Sequence, residues 1–150
     1  MSGLDVLLDT NVLLNYFRWN DCAKQIEADY GFRAEGFAPT ISVITKGEML
    51  AFAKNPDWDD EKRKRLDQFL DLCIVIDINT KPVLTAYADL HDANEHSSTK
   101  IGQNDLWIAA TAQALSVPVL TSDSGFLNLP PALVSVYKVQ SKSGITELKR

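Results

Sequence analysis

Apolar strand-like segments alternate with amphipathic helical segments along this chain of 150 residues. Residues 4–8 (LDVLL) are typical of a short strand, and Val12, Leu13, Tyr16 and Phe17 follow it at helical spacing. Later strand segments lie in the sequences GFAPTIS, CIVIDI, VPVLTSD and LVSVYKV. Because parallel strands need helical connections, the pattern predicts an α/β fold with a central parallel sheet of about four to five strands and helices on both faces.

Capping residues and chain breakers predict where the helices begin and end. Asn20 or Asp21 would cap a helix that ends at about Tyr30, where Gly31 supplies the stop. The other predicted helix starts are polar residues that precede apolar periodic segments: Ser42, Asp57 or Asp59, Thr80, and the pair Asn104 and Asp105. The strand in GFAPTIS is expected to end near Thr40, CIVIDI is too apolar to face water, and HDANEHSSTKIGQ is the most loop-like segment.

Composition limits the organisation of the chain and its partners. With 45% hydrophobic residues, residues 1–150 are expected to form a single domain with a polar tail at about 140–150. The net charge of -5 argues against a broad basic surface. A nucleic-acid partner would therefore need a local basic patch or bound metal ions.

The cysteines and the N-terminal segment bear on cellular location. Cys22 and Cys73 match no zinc or redox spacing, so both are expected to be core thiols in a reducing compartment. The N-terminal segment has no basic region and is interrupted by polar residues, which does not fit a secretory signal. No apolar run approaches the roughly 20 residues of a membrane-spanning helix. A cytoplasmic protein with no membrane partner is expected.

Four acidic residues are candidates for a binding site, and two of them lie at strand ends, where sites form in parallel α/β folds. Asp9 and Asp123 end predicted strands, Asp105 stands in the first turn of a helix, and Glu48 lies about two turns into another helix. If these elements are neighbours, the carboxylates repel one another by about 4 kcal/mol per pair at 4 Å and an effective dielectric near 20. Mg²⁺ or Mn²⁺, which prefer oxygen ligands, would provide the counter-charge.

Each of these acidic residues also has an ordinary structural interpretation. Asp9 could cap the following helix, and Asp105 is favoured in a first helical turn by the helix dipole. Glu48 could be a solvated helix residue, and Asp123 could be a turn former. These alternatives stay open for each residue taken alone, and only the combination favours a metal site.

In combination, four segments resemble the PIN-domain family, and most closely its VapC-like toxins of type II toxin-antitoxin systems. The segments are LLDTNVLL, ISVITKGEML, NDLWIAATA and VLTSDSGF, which occur in the family's order over nearly the whole chain. The resemblance implies a PIN fold and a Mg²⁺-dependent endoribonuclease, with Mn²⁺ as a possible substitute, that hydrolyses RNA phosphodiester bonds. It also implies a small cognate antitoxin as inhibitor and a homodimer.

The resemblance carries the catalytic and metal-binding quartet onto Asp9, Glu48, Asp105 and Asp123. It implies that Thr10 and Asn11 shape the turn after the first strand, and that Thr121 or Ser122 offers a hydroxyl near the metal. Glu48 could bind a second ion, bind through water or orient the nucleophile, and all three roles stay open. Family members often carry an Asp before the closing Phe of the last motif, but this chain has Gly125 before Phe126. A fifth carboxylate and a second metal are thus in doubt.

Further hypotheses concern the surface. The basic residues 62–65 (KRKR) read as the solvated face of a helix, with RNA contact as the minority alternative. Tyr16, Phe17 and Trp19 are candidates for a contact surface with the antitoxin or a second copy, while Trp58 and Trp107 read as core or interface residues. The rival functional class is a catalytically inactive PIN-like module that binds a metal or a partner.

Overall fold

The computed structural model describes residues 5–33, 38–140 and 144–147. Its strands are β1 Leu7–Leu8, β2 Thr40–Ser42, β3 Ile74–Ile76, β4 Val119–Thr121, β5 Val136–Gln140 and β6 Gly144–Glu147. Its α-helices are α1 Thr10–Arg18, α2 Asp21–Tyr30, α3 Val43–Phe52, α4 Asp60–Leu72, α5 Lys81–Glu95 and α6 Gln103–Leu115. A short 3-10 helix, Ser124–Asn128, follows β4.

The strands form two hydrogen-bonded sheets. The sheets lie side by side, with β1 of the larger sheet in contact with β2 of the smaller one. In the larger sheet, the order is β1-β4-β5-β6, with β1, β4 and β5 parallel and β6 antiparallel to β5. The smaller sheet is the parallel pair β2 and β3. The predicted α/β class is confirmed, with three parallel strands in the main sheet and two more in the pair beside it.

Helices cover both faces of the main sheet. Because successive strand residues point to opposite sides, neighbouring residues of one strand pack against different helices. Leu8 packs in one core cluster with apolar residues of α1, α2 and α4, while Leu7 packs in the other with residues of α5 and α6. Leu120 and Val119 divide in the same way, and all four side chains are fully buried. Burial on both faces explains why these parallel strands read as continuous apolar runs rather than alternating ones.

Most predicted helix boundaries are confirmed because they depend on local hydrogen bonds. The Asn20 side chain accepts from the backbone N–H of Ala23, and Gly31 adopts the left-handed conformation at φ 64° that ends α2. Ser42 and Thr80 cap α3 and α5, as predicted. At the start of α4 the structure selects Asp59 rather than Asp57 as the N-cap.

Three predicted segments differ from the structure. β2 begins at Thr40 instead of ending there, and residues 36–37 of the predicted strand lie outside the described part of the chain. β3 is less buried than its apolar composition predicted, and Ile74 is 36% exposed. The reason is that β3 is an edge strand, which is hydrogen-bonded only to β2 in the described sheets. The supposed loop HDANEHSSTKIGQ begins as helix, because α5 continues to Glu95.

The end of α5 is held by a side chain that the sequence pattern did not reveal. Asn94 is 5% exposed, and its amide donates to the carbonyl of Ile101 and accepts from the N–H of the same residue. These two bonds fasten the connection between α5 and α6. The polar tail also contains structure, since β6 pairs with β5 at Gly144–Glu147, while residues 141–143 and 148–150 are outside the described ranges.

The remaining expectations concern the cysteines and the membrane. Cys22 is buried and Cys73 is partly buried, and neither forms a disulfide. Burial raises the pKa of the Cys73 thiol to about 12, so it is an unreactive core group at neutral pH. In the described ranges, each helix is too short or too polar to span a lipid bilayer.

Candidate active site

Asp9 lies directly after β1, at the carboxyl end of the parallel strands. It is the N-cap of α1, so the structural alternative for this residue is realised. Its Oδ1, however, accepts from the first helical N–H, that of Thr10, at 2.7 Å, and its Oδ2 accepts from the Thr121 hydroxyl at 2.8 Å. The carboxylate therefore joins α1 to β4. With 4% of its surface exposed, Asp9 is also one of the few buried acidic side chains in the described chain.

Asp123 follows β4, the strand that neighbours β1. Its Oδ1 accepts from the backbone N–H of Gly125 at 2.8 Å, which is the turn-forming interaction considered from the sequence. Its own N–H donates to the Thr121 hydroxyl at 2.9 Å. Of the two candidate hydroxyls, Thr121 thus connects Asp123 to Asp9, whereas Ser122 is exposed.

Gly125 stands where the resemblance leads us to expect a further acidic residue. A Cβ atom at this position would lie 3.3 Å from Asp123 Oδ1, which is tighter than ordinary van der Waals contact. A larger residue here would therefore require the Asp123 carboxylate to shift by a few tenths of an ångström.

Glu48 reaches the same region from α3. Its Oε1 accepts from the Thr10 hydroxyl at 2.7 Å, and its Oε2 lies 3.5 Å from the amide nitrogen of Asn104. The Thr10 hydroxyl is also 3.1 Å from the hydroxyl of Thr45, which is fully buried one turn before Glu48. Glu48 is therefore not a freely solvated helix residue.

Asp105 stands in the first turn of α6, which begins one residue before the predicted start and has Gly102 as its N-cap. Burial raises the pKa of Asp105 to about 6, with further contributions from the negative charges of Asp9, Asp123 and Glu48. Burial likewise raises the pKa of Asp9, although hydrogen bonds from Thr121 and Thr10 oppose the change. The charges of Asp9, Asp123 and Glu48 all act on Asp105, so the four predicted carboxylates lie in one region of the structure, called the acidic cluster below.

The cluster lacks a basic partner in the described chain. The ion pairs found among the described residues involve none of the four carboxylates. No cation contributes to the raised pKa of Asp9 or Asp105. A donor set made of carboxylate and hydroxyl oxygens suits a hard divalent cation. Across residues 5–33, 38–140 and 144–147, however, no three acidic, His or Cys side chains are placed so that they could hold an ion. The donor chemistry fits Mg²⁺, while the side chains would have to converge further.

Three side chains hold Glu48 in place without having been identified from the sequence: Thr10 and Asn104 contact it directly, and Thr45 contacts Thr10. Thr10 was assigned only to the turn after β1, Asn104 only to the start of a helix, and Thr45 was given no role. Their contacts depend on how α1, α3 and α6 pack together, which residue spacing within one helix does not reveal. One signal could have identified Thr45: it is a polar residue four positions before Met49, on the face of α3 that is buried.

The basic residues 62–65 do not reach the acidic cluster through any described contact. Arg63 donates to the carbonyls of Ala53 and Asn55, at 2.6 and 3.1 Å, and so satisfies backbone groups beyond the end of α3. Lys62 stacks on Trp58 at 3.9 Å, and Arg65 lies 5.7 Å from the Phe17 ring. These interactions give three of the four residues a structural role.

The proposed aromatic contact surface is only partly available. Tyr16 is 2% exposed, and its hydroxyl donates to Glu27 at 2.5 Å, so the expectation of a contact residue is wrong for Tyr16 in the single chain. Phe17 and Trp19 pack against the same core cluster while remaining partly exposed. Trp58 is buried, and Trp107 stacks on Tyr87 with the ring centroids 3.8 Å apart.

The fold and site define a parallel α/β domain with an acidic cluster at the carboxyl ends of its strands. The PIN domain family model matches residues 6–130. The chain belongs to the PIN domain family, and the family resemblance predicted from the sequence is confirmed.

Several solved structures are similar to this chain in fold. DNA-bound VapBC from Salmonella typhimurium has a TM-score of 0.73 and 18% identity, covering 91% of this chain and 97% of that one. VapBC2 from Rickettsia felis, bound to a promoter DNA fragment, has a TM-score of 0.71 and 23% identity over 87% and 97%. FitAcB from Neisseria gonorrhoeae has a TM-score of 0.69 and 26% identity over 87% and 95%. A search of curated proteins found no match.

Proposed function

We propose that the chain is a Mg²⁺-dependent endoribonuclease of the VapC-like toxin type, which acts in the cytoplasm. The observation that carries the proposal is that four carboxylates from separate elements lie within range of one another's charge, and that no basic side chain among the described residues is paired with them. Membership of the PIN domain family supports a nuclease. The similarity to VapBC complexes supports a cognate small antitoxin as partner, and a homodimer is proposed on family grounds.

In this proposal, Asp9, Asp105 and Asp123 hold the ion. When bound, Mg²⁺ would polarise the phosphodiester and lower the pKa of a water at the site. Thr121 orients Asp9 by donating to Oδ2, and the N–H of Gly125 orients Asp123. Glu48 lies near Asp9 and Asp105 from α3 and contributes to ion binding, directly or through a water that it can also orient for attack. Mn²⁺ is expected to substitute for Mg²⁺, since both accept oxygen ligands.

The test is a cleavage assay on structured RNA with wild type and the variants Asp9→Asn and Asp105→Asn. The asparagine side chains keep the size of the acids while removing the charge that holds a cation. Both variants are expected to lose cleavage and any growth arrest while remaining folded. Asp67→Asn, which removes an exposed acid on α4, is the matched control and should cleave like wild type. Retained cleavage in both active-site variants would refute the proposal.

A second candidate function follows from the spacing of the acidic side chains. Because no three of them in the described residues are arranged to hold an ion, the chain could be a PIN-like module that works only through its partner. Mn²⁺ binding measured without RNA, followed by the cleavage assay, separates the two functions. Intact RNA supports the module, whether or not an ion binds saturably, and cleavage supports the nuclease.

A further inference from the structure

Glu48 differs from Asp9 and Asp123 in how its carboxylate is held. Asp9 and Asp123 each accept a hydrogen bond from a backbone N–H, so their short side chains are fixed by the fold itself. Glu48 has a longer side chain on a helix surface, and its described contacts come from side chains alone. The neighbouring negative charges of Asp9 and Asp105 would push it outwards.

The hydroxyl of Thr10 opposes that repulsion. It lies 2.7 Å from Glu48 Oε1 and 3.1 Å from Thr45 Oγ1. A hydroxyl has one hydrogen, and the contact with Glu48 is the shorter of the two, so the Thr10 hydrogen is assigned to Glu48. The bond between the two threonines must then be donated by Thr45. The direction of both hydrogen bonds is thereby fixed.

Burial makes this arrangement persistent. Thr10 is 5% exposed and Thr45 is fully buried, so water competes little for either hydroxyl. Without the Thr45 proton, the Thr10 oxygen would lack a buried donor, which is unfavourable in a protein interior. Thr10 also follows Asp9 directly and supplies the N–H that Asp9 accepts. One residue therefore contacts two of the four carboxylates.

We propose that Thr10, oriented by the buried hydroxyl of Thr45, is the positioning residue that holds Glu48 in the acidic cluster. The inference rests on the proposed metal-dependent function and deepens it by assigning a residue to the placement of Glu48. In this proposal, Thr10 acts through Glu48 and is not itself an ion ligand. Its contribution is to keep the Glu48 carboxylate facing Asp9 and Asp105 rather than solvent.

The experiment compares Thr10→Val, which removes the hydroxyl and keeps the shape, with Thr10→Ser, which keeps the hydroxyl. Thr111→Val is the matched control, because Thr111 is fully buried but its hydroxyl donates to the carbonyl of Trp107 within α6. Mn²⁺ affinity is measured without RNA, and kcat and KM are then measured with RNA. Groups that orient metal ligands typically change affinity or activity by about tenfold or more.

Thr10→Val is expected to lower Mn²⁺ affinity and kcat by about tenfold each with little change in KM. Thr10→Ser and Thr111→Val should stay close to wild type. Thr45→Val should show a smaller loss in the same direction, and it keeps the inference testable if Thr10→Val does not fold. Wild-type values in folded Thr10→Val, or an equal loss in Thr10→Ser, would overturn the inference.

Crystal structures of the metal-free variants separate this inference from the proposed function. Glu48 is expected to turn away from Asn104 in Thr10→Val and to stay in place in Thr10→Ser. If wild type neither binds Mn²⁺ nor cleaves RNA, the proposed function fails, while this displacement still supports the positioning role. An unmoved Glu48 in Thr10→Val contradicts the positioning role whatever the activity.

Discussion

Replacing Asp105 by Asn should make the metal-free protein more stable. Asp105 accepts no hydrogen bond from the residues that the structure describes, and its pKa rises from 3.8 to about 6 because of burial and three neighbouring carboxylates. A raised carboxyl pKa means that the folded state disfavours the charge. Asparagine keeps the size and removes the charge, so it should relieve this destabilisation.

The magnitude follows from the difference between the two pKa values. The full difference corresponds to about 3 kcal/mol at 1.36 kcal/mol per unit. Solvent screening of a half-buried side chain reduces this to about 1–2 kcal/mol. Loss of a negative charge in the first turn of α6 opposes the gain by about 0.3–1 kcal/mol. A net stabilisation of about 1 kcal/mol remains, which raises the Tm of a domain of this size by about 2–4 °C.

The raised pKa of Asp105 also determines how the stability gain of Asp105→Asn changes with pH. Above the folded pKa of about 6, both states of wild type are ionised at Asp105 and the destabilisation is complete. As the pH falls, the folded state takes up the proton first, so at pH 5 only about half of the effect remains. The advantage of Asp105→Asn should therefore be largest at neutral pH and shrink towards acid pH.

The assay is thermal and urea unfolding of wild type, Asp105→Asn and the exposed control Asp67→Asn in EDTA, at pH 7.5 and pH 5. Asp67→Asn should leave the unfolding free energy nearly unchanged at both values. If Asp105→Asn were no more stable than wild type at pH 7.5, or gained equally at both pH values, the electrostatic interpretation of the cluster would be wrong.

Two further substitutions test the hydrogen bonds that hold Asp9 in the site and those that satisfy the backbone beyond the end of α3. Thr121→Val removes the donor to Asp9 Oδ2 and should destabilise the fold by about 2 kcal/mol, measured by urea unfolding, with Thr121→Ser recovering most of the loss. Arg63→Met keeps the aliphatic stem but removes the donors to Ala53 and Asn55, and should destabilise by about 1–2 kcal/mol. RNA cleavage per folded Arg63→Met molecule should equal that of wild type, and a large loss would instead favour RNA contact by this cluster.

The sequence predicted features that depend on neighbouring residues better than those that depend on packing. Ser42, Thr80 and Gly31 were identified because capping is a local hydrogen-bond pattern. The helical end of α5 was missed because its polar sequence resembles a loop, while the stabilising contacts of Asn94 come from beyond the helix. The partial exposure of β3 was missed because composition does not reveal a strand's position in a sheet.

The same distinction applies to the candidate site. Asp9 and Asp123 could be brought together from sequence because the carboxyl ends of parallel strands share one edge. Asp105 and Glu48 needed the family resemblance, since a helical acid has no fixed direction relative to a sheet. The contacts of Thr10 with Thr45 and Glu48 required the packing of α1 on α3, which only the structure provides.

Mn²⁺ titration of the RNA-free protein tests the central claim most directly, with each of Asp9, Glu48, Asp105 and Asp123 replaced in turn by its amide. The account predicts one saturable site in wild type, with affinity reduced by about tenfold or more in each variant and unchanged in Asp67→Asn. Binding of equal strength in wild type and all four variants, or no binding in wild type, would contradict it.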